Sequence, residues 1–311
     1  MVQDNPHPSP DSNRAEENSA APACVLAFNA NDPCGAGGIG GDAMTCACVG
    51  AHALSVVTGT LVRDTAEVFD HIAFDEDAVF EQAQRVLEDV GVHVIKVGFC
   101  GTPENLSVIA EIASDYADVP VVAYMPNLSW WHDELIDAYL DAFRELILPQ
   151  TTLLVGNLNT LWRWLLPDWS SERNPSARDI AAAAADLGVP YVLVTGIAQP
   201  DQHIENTLAT SHTVLLSQRF ERFDAAFAGA GDTLSATLAA LLACGSDLET
   251  AALEALNYLD QSLDNGFRPG MGRLLPDRLF WAESDESDSD EEADPFATAE
   301  DFSLHRHETK H

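Results

Sequence analysis

From Cys24 to Leu263 the chain alternates short apolar runs with longer amphipathic stretches, and that rhythm limits the possible folds more than any other feature. Cys24-Val25-Leu26-Ala27-Phe28-Asn29 is an apolar run ending in turn residues, and a helix is expected to follow it over 38–49. Further strands are expected at 54–58, 92–98, 119–124, 152–155 and 191–195, separated by helices at 76–90, 108–116, 134–148, 158–165 and 176–187. Strands that alternate with helices of this length pair in parallel through right-handed crossovers, which makes a three-layer α/β/α sandwich. The rhythm breaks over 204–223. There, β-branched runs at 206–209 and 213–217 predict an antiparallel edge on a mostly parallel central sheet, before two last helices at 234–242 and 249–263.

Composition divides the chain of 311 residues into one domain and two arms. Residues 1–22 are polar and lack apolar periodicity, so they predict a disordered N-terminal arm. Residues 23–282 form the domain, and 283–311 open with a block of acidic residues that cannot pack, which predicts a disordered tail. The tail histidines His305, His307 and His311 read as solvated rather than metal-binding. A formal charge of −35 argues against a nucleic-acid partner, because the phosphate backbone would be repelled over most of the surface. Lysine occurs only at Lys96 and Lys310, and an excess of carboxylate with so little lysine suits a protein of a salt-adapted bacterium. No apolar run reaches membrane-spanning length and no basic-then-apolar leader opens the chain, so a soluble cytoplasmic protein with no membrane partner is expected. The six cysteines lack paired zinc spacing, and Cys46-Ala47-Cys48 reads as packing.

Two glycine-rich stretches carry the chemistry. In Phe227-Ala228-Gly229-Ala230-Gly231-Asp232-Thr233, small residues lead straight into a helix whose first N–H groups stay open to an anion. Asp232 at that mouth is either a proton acceptor for a hydroxyl or a plain helix N-cap. The loop Asn29-Ala30-Asn31-Asp32-Pro33-Cys34-Gly35-Ala36-Gly37-Gly38-Ile39-Gly40-Gly41-Asp42 lets backbone approach a ligand, and its two acids are suited to amino or hydroxyl donors. Dinucleotide binding is disfavoured, since no ribose-binding acid follows at the usual distance. Open α/β sheets bind ligands beyond the carboxyl ends of their strands. The loops after Phe28, Thr58, Gly98, Tyr124, Val155 and Thr195 and the one before Asp232 are therefore expected to line one cleft.

Gly229-Ala230-Gly231-Asp232 resembles the Gly-Ala/Thr-Gly-Asp signature of the ribokinase superfamily. The first loop resembles the corresponding segment of hydroxymethylpyrimidine/phosphomethylpyrimidine kinases within it, and Ser55-Val56-Val57-Thr58, Ile95-Lys96-Val97-Gly98 and Leu154-Val155-Gly156-Asn157 extend the resemblance. The resemblance implies a ribokinase-like fold that phosphorylates the hydroxymethyl group of 4-amino-5-hydroxymethyl-2-methylpyrimidine, or of its monophosphate, in thiamine biosynthesis, with ATP and Mg²⁺ as cofactors and a homodimeric assembly. It makes Asp232 the base and the amides of Gly229, Ala230 and Gly231 the anion hole. It further implies Asp32, Gly35, Gly38, Asp42 and Arg63 as substrate-binding residues, with Asp42 on the amino edge of the ring. Asn157, Thr195 and Gly196 would meet the nucleotide, Asn157 by way of Mg²⁺.

Several positions depart from the family pattern. Asp232 stands where this subgroup often has Cys, and Arg63 stands where a Gln reads the ring, so its guanidinium needs a carboxylate such as Asp64 or a ligand phosphate. The metal-side Asp-Pro-Val becomes Tyr124-Met125-Pro126, the acid of Asn-x-x-Glu becomes Thr160, and Lys-Gly-Gly-His becomes Thr195-Gly196-Ile197-Ala198. These changes leave two alternatives open, a pyridoxal-type vitamin kinase and a weakly active or inactive paralogue that binds a pyrimidine or nucleotide. Trp130, Trp131, Trp162 and Trp164 are expected in the core or at a subunit interface ahead of stacking on adenine or a pyrimidine ring, and Phe267-Arg268-Pro269-Gly270-Met271-Gly272 as a structural clasp.

Overall fold

The computed structural model describes residues 21–282; of the arms expected at 1–22 and 283–311, residues 1–20 and the whole tail with its three histidines lie outside the described residues. The elements run β1 (Cys24–Asn31), α1 (Gly38–Val49), β2 (His52–Arg63), β3 (Val68–Ala73), α2 (Glu76–Leu87), β4 (Val94–Val97), α3 (Pro103–Asp115), β5 (Val121–Met125) and α4 (Asp133–Ala142). They continue with β6 (Leu153–Asn157), α5 (Leu158–Leu165), α6 (Ala177–Ala185), β7 (Tyr191–Gln199), β8 (His203–Ala209), β9 (Val214–Glu221), α7 (Ala230–Ala243) and α8 (Leu248–Asp264). All the strands form one nine-stranded sheet in the order β3-β2-β1-β4-β5-β6-β7-β8-β9. The stretch from β2 to β7 is parallel, while β3, β8 and β9 pair antiparallel at the two edges.

Local chemistry starts and stops the helices. Asp75 caps α2, Thr102 caps α3 with Pro103 in its first turn, and Ser176 with Asp179 closes a reciprocal capping box on α6. Each strand then divides its side chains between two cores by simple alternation. Leu26, Phe28, Ile95 and Val97 pack with α3, α5 and α6 on one face, while Val25, Val94, Leu153 and Leu193 pack with α7 and α8 on the other. A buried sheet covered on both faces results, with its carboxyl edge free for a site.

The structure corrects the sequence at one edge of the sheet and in one helix. β2 runs past Thr58 to Arg63 and turns back as β3, a strand that went unforeseen because Phe69 and Ile72 are exposed and Asp70 and His71 interrupt its apolar character. The helix expected over 134–148 leaves regular geometry at Phe143, continuing as a wide π turn and then a short tight turn that carries Pro149. Pro lacks the N–H that a continuing helix requires.

Candidate active site

At the start of α7, Gly229 is the N-cap, with φ +85° and ψ 0°. That left-handed backbone favours glycine, and a β-carbon there would collide with the Ala36 carbonyl of the α1 loop. Gly231 similarly lies under the Tyr124 phenol, and Gly37 lies against the Asp232 carboxylate. Small residues are thus required on both sides of the contact between the two glycine-rich stretches. Thr233 is the first residue to donate into the helix, to Gly229 O at 2.9 Å, so the amides of Ala230, Gly231 and Asp232 precede the intrahelical ladder. Since Gly229 occupies the cap, Asp232 is not the N-cap that its position in the sequence also allowed.

The Asp232 carboxylate instead belongs to a polar cluster assembled from four elements. Asn29 at the end of β1 donates its Nδ2 to Asp232 Oδ1 and to Asp42 Oδ2, both at 2.9 Å. Its Oδ1 accepts from the amides of Ala30 and Phe99, which orients the amide group. Lys96 of β4 places Nζ 2.7 Å from Asp42 Oδ1 and 3.5 Å from Asp232 Oδ1. Lys96 and Asp42 are wholly buried, whereas the Asp232 side chain keeps 20 % exposure. Burial alone would lower the Lys96 pKa, but Asp42 and then Asp232 hold it above its ordinary value. Burial pushes Asp42 up to about 6 against the pull of Lys96.

Asp42, which the resemblance puts on the amino edge of the ring, is paired inside the protein. Its oxygens are held by Lys96 and Asn29, and it does not line the cavity. Asp32 is also tied into the protein, accepting from the amides of Cys34 and Gly37 and from Arg63 Nη1 at 3.0 Å. The partner of Arg63 is thus Asp32 rather than the Asp64 side chain; Asp64 contributes only its carbonyl, to Nε.

A cavity of about 430 Å³ opens over this cluster; six of the seven loops expected at the cleft contribute to its lining, and from the seventh only Thr195, at its start, reaches it. Asp32, Gly38, Arg63, Asn157, Thr195 and the run from Gly229 to Asp232 border it; Gly35 and Gly196 do not. Gly35 instead presents its carbonyl to Arg278, and Gly196 donates to Asn206 Oδ1 at 2.9 Å. Asn157 caps α5 through Oδ1, so that oxygen already accepts from Asn159 N. A second cavity of about 630 Å³ continues beneath Tyr124–Ser129 and is lined by Met125, Thr160, Arg163 and Trp164. Trp164 packs in the core as expected, and Trp130 also packs against it while bordering the first cavity. The clasp at 267–272 closes on the turn between β2 and β3, with Gly272 N donating to Thr65 Oγ1 at 3.0 Å.

Three of the residues that build the site had no role assigned from the sequence: Asn29, Lys96 and Arg278. Lys96 carried a readable signal, because a lysine inside an apolar strand is buried only when paired. Arg278 is buried and donates to Gly35 O and Ala36 O from beyond α8, a contact that no local pattern announces. The donors at the far end of the cleft are amide and hydroxyl groups, and among the described residues no cluster of three or more His, Cys, Asp or Glu could hold a metal ion. These residues do not make a resident Mg²⁺ centre.

A family model described as phosphomethylpyrimidine kinase matches residues 32–276. The hydroxymethylpyrimidine/phosphomethylpyrimidine kinase of Streptomyces coelicolor is 27% identical over 263 residues, covering 84% of this chain and 96% of that protein. A thiamine biosynthetic bifunctional enzyme of Arabidopsis thaliana is 27% identical over 242 residues, covering 77% of this chain and 46% of that protein. Among solved structures, the ADP complex of Bacillus subtilis pyridoxal kinase shares the fold with a TM-score of 0.74 at 20% identity, covering 85% of this chain and 100% of that one.

Proposed function

The chain belongs to the phosphomethylpyrimidine kinase family, and from that premise we propose that it transfers the γ-phosphoryl group of ATP to the hydroxymethyl oxygen of 4-amino-5-hydroxymethyl-2-methylpyrimidine, and then to its monophosphate, in thiamine biosynthesis. The observation that carries the proposal is the Asp232 carboxylate. It stands partly exposed beside the open amides of Ala230 and Gly231, at the floor of a ligand-sized cavity. Asp232 takes the hydroxyl proton as the oxygen attacks the γ-phosphorus, the bond from that phosphorus to the bridging oxygen breaks, and ADP leaves with the electron pair. The helix-start amides hold the charge of the transferring group, which needs positioning and electrostatic stabilisation more than covalent help. Asn157 and Thr195 border the nucleotide side, and Mg²⁺ arrives as MgATP, on the phosphates of the substrate. Arg63 gives Nη1 to Asp32 and Nε to the Asp64 carbonyl, and its remaining Nη2 donors at the cavity lining suit an anionic acceptor such as the monophosphate. A cytoplasmic homodimer is part of the same proposal.

The test is ADP release from MgATP at about molar salt, where the self-repulsion of so acidic a chain is screened. Hydroxymethylpyrimidine, its monophosphate and pyridoxal are offered separately to the parent protein and to Asp232→Asn. Turnover with a pyrimidine that the variant loses is the expected result. Turnover confined to pyridoxal favours the second reading, a pyridoxal-type kinase, which an aspartate base in place of cysteine supports. Ligand-induced stabilisation without turnover would instead identify a binding paralogue.

A further inference from the structure

Lysine has almost vanished from this chain, yet the one lysine among the described residues, Lys96, is fully buried in β4. A buried ammonium is tolerated only when paired and hydrogen-bonded, and here two carboxylates from different helices supply the partners. Asp42 alone would suffice to balance it. The geometry goes further, because both donors that reach Asp232 converge on one oxygen. Asn29 Nδ2 lies 2.9 Å and Lys96 Nζ 3.5 Å from Oδ1. Oδ2 receives neither and lies against Gly37, at the lining of the cavity.

Building on the proposed role of Asp232 as base, we propose that Lys96 and Asn29 are its positioning residues: they anchor Oδ1 and leave Oδ2 as the atom that accepts the hydroxyl proton. Every element packed on the cluster bears on this. The charged and titratable groups facing Asp232 are Lys96 from β4, Asp42 from α1, the Tyr124 phenol from β5 and, from beyond α8, the Arg278 guanidinium. Tyr124 is held neutral by burial, with Asp232 and Asp42 adding to the effect. The Cys46 thiol near Lys96 is pushed by burial to about 12 and is likewise neutral. Lys96 is thus the cation that touches Asp232 directly, while Arg278 is bonded to the carbonyls of Gly35 and Ala36.

The experiment measures the pH dependence of kcat and the KM for the pyrimidine in the parent, Lys96→Met, Asn29→Ala and Asp232→Asn proteins, beside a carboxyl-carbon NMR titration of Asp232. Loss of an adjacent cation raises a carboxyl pKa by about one to three units. Lys96→Met is therefore expected to move the acidic limb of kcat upward by at least about one unit with KM nearly unchanged. Asn29→Ala is expected to lower kcat about tenfold, within the range of a lost charge-assisted hydrogen bond, with a smaller shift. Because Lys96→Met strands a buried carboxylate, the double variant Lys96→Met/Asp42→Asn is measured as well; its limb moves in the same direction, by less, since a nearby negative charge has gone too. An unmoved limb and an unmoved Asp232 titration in both lysine variants would overturn the proposal and leave Lys96 as a partner of Asp42 only. Full turnover in Asp232→Asn would overturn the base assignment instead, and the NMR titration alone would then decide whether Lys96 governs the ionisation of Asp232.

Discussion

The two ends of the cleft are built by opposite means. Under the start of α7, charge is buried and paired: Asn29, Asp42, Lys96 and Asp232 interlock through contacts of 2.7 to 3.5 Å. Beyond β5 and β6, Met125, Asn157, Thr160 and Trp164 border an open space with no carboxylate, and the Trp164 indole N–H is buried without a partner. The contrast teaches where preorganisation resides. A network of paired charges in a dry interior holds one side chain in one geometry, whereas a wall of amides and apolar groups leaves orientation to the incoming ligand and its metal ion.

The largest expected effect comes from breaking the ordered end. Asp232→Asn should lower kcat by about a hundred- to ten-thousand-fold, the usual contribution of a general base, while the melting temperature stays close to the parent's. Steady-state kinetics and a thermal melt on the same preparation check both halves. Gly229→Ala comes next. It forces a β-carbon into the Ala36 carbonyl at a positive φ, so destabilisation of more than about 1 kcal/mol is expected in a urea titration, together with lost turnover.

The open end can be sharpened rather than broken. Thr160→Glu restores a carboxylate at the mouth of the second cavity, and the Mg²⁺ concentration that gives half-maximal turnover should fall severalfold. An unchanged Mg²⁺ response would mean that this end does not face the nucleotide's metal. The smallest effect concerns His71 on β3, which packs edge-on to Phe99 with ring centroids 4.9 Å apart. Burial lowers its pKa from 6.5 to about 4. The folded protein holds this imidazole neutral while the unfolded chain takes up a proton below about 6.5, so stability is lost as pH falls from there toward 4. Partial exposure of the ring discounts the loss, and melts at pH 7 and pH 5 should show a modest decrease that His71→Phe reduces.

Most of the parallel core and the start of α7 were legible from local pattern. Apolar runs such as Val94–Val97, the flanking glycines Gly37 and Gly50 of α1 and the Asn157 cap of α5 are local features, so the strand–helix rhythm survives in one dimension. β3 was not legible, because an exposed edge strand lacks the apolar continuity that marks a central one. The site divides in the same way. The glycines around Asp232 announce a tight helix entry, but Asp32 is held by Arg63 and Asp42 by Lys96 and Asn29, partners on other elements that no local pattern announces.

By itself, then, the sequence determined the α/β layering, the glycine-rich loops and the carboxylate at the mouth of α7, since propensity, periodicity and turn chemistry act over a few residues. Tertiary structure alone decided which carboxylates are paired inside the protein and which border the cavity. Asn29, Asp42, Lys96 and Asp232 are up to 203 positions apart in the chain. Only packing brings them within hydrogen-bond reach, and only burial makes their pairing obligatory.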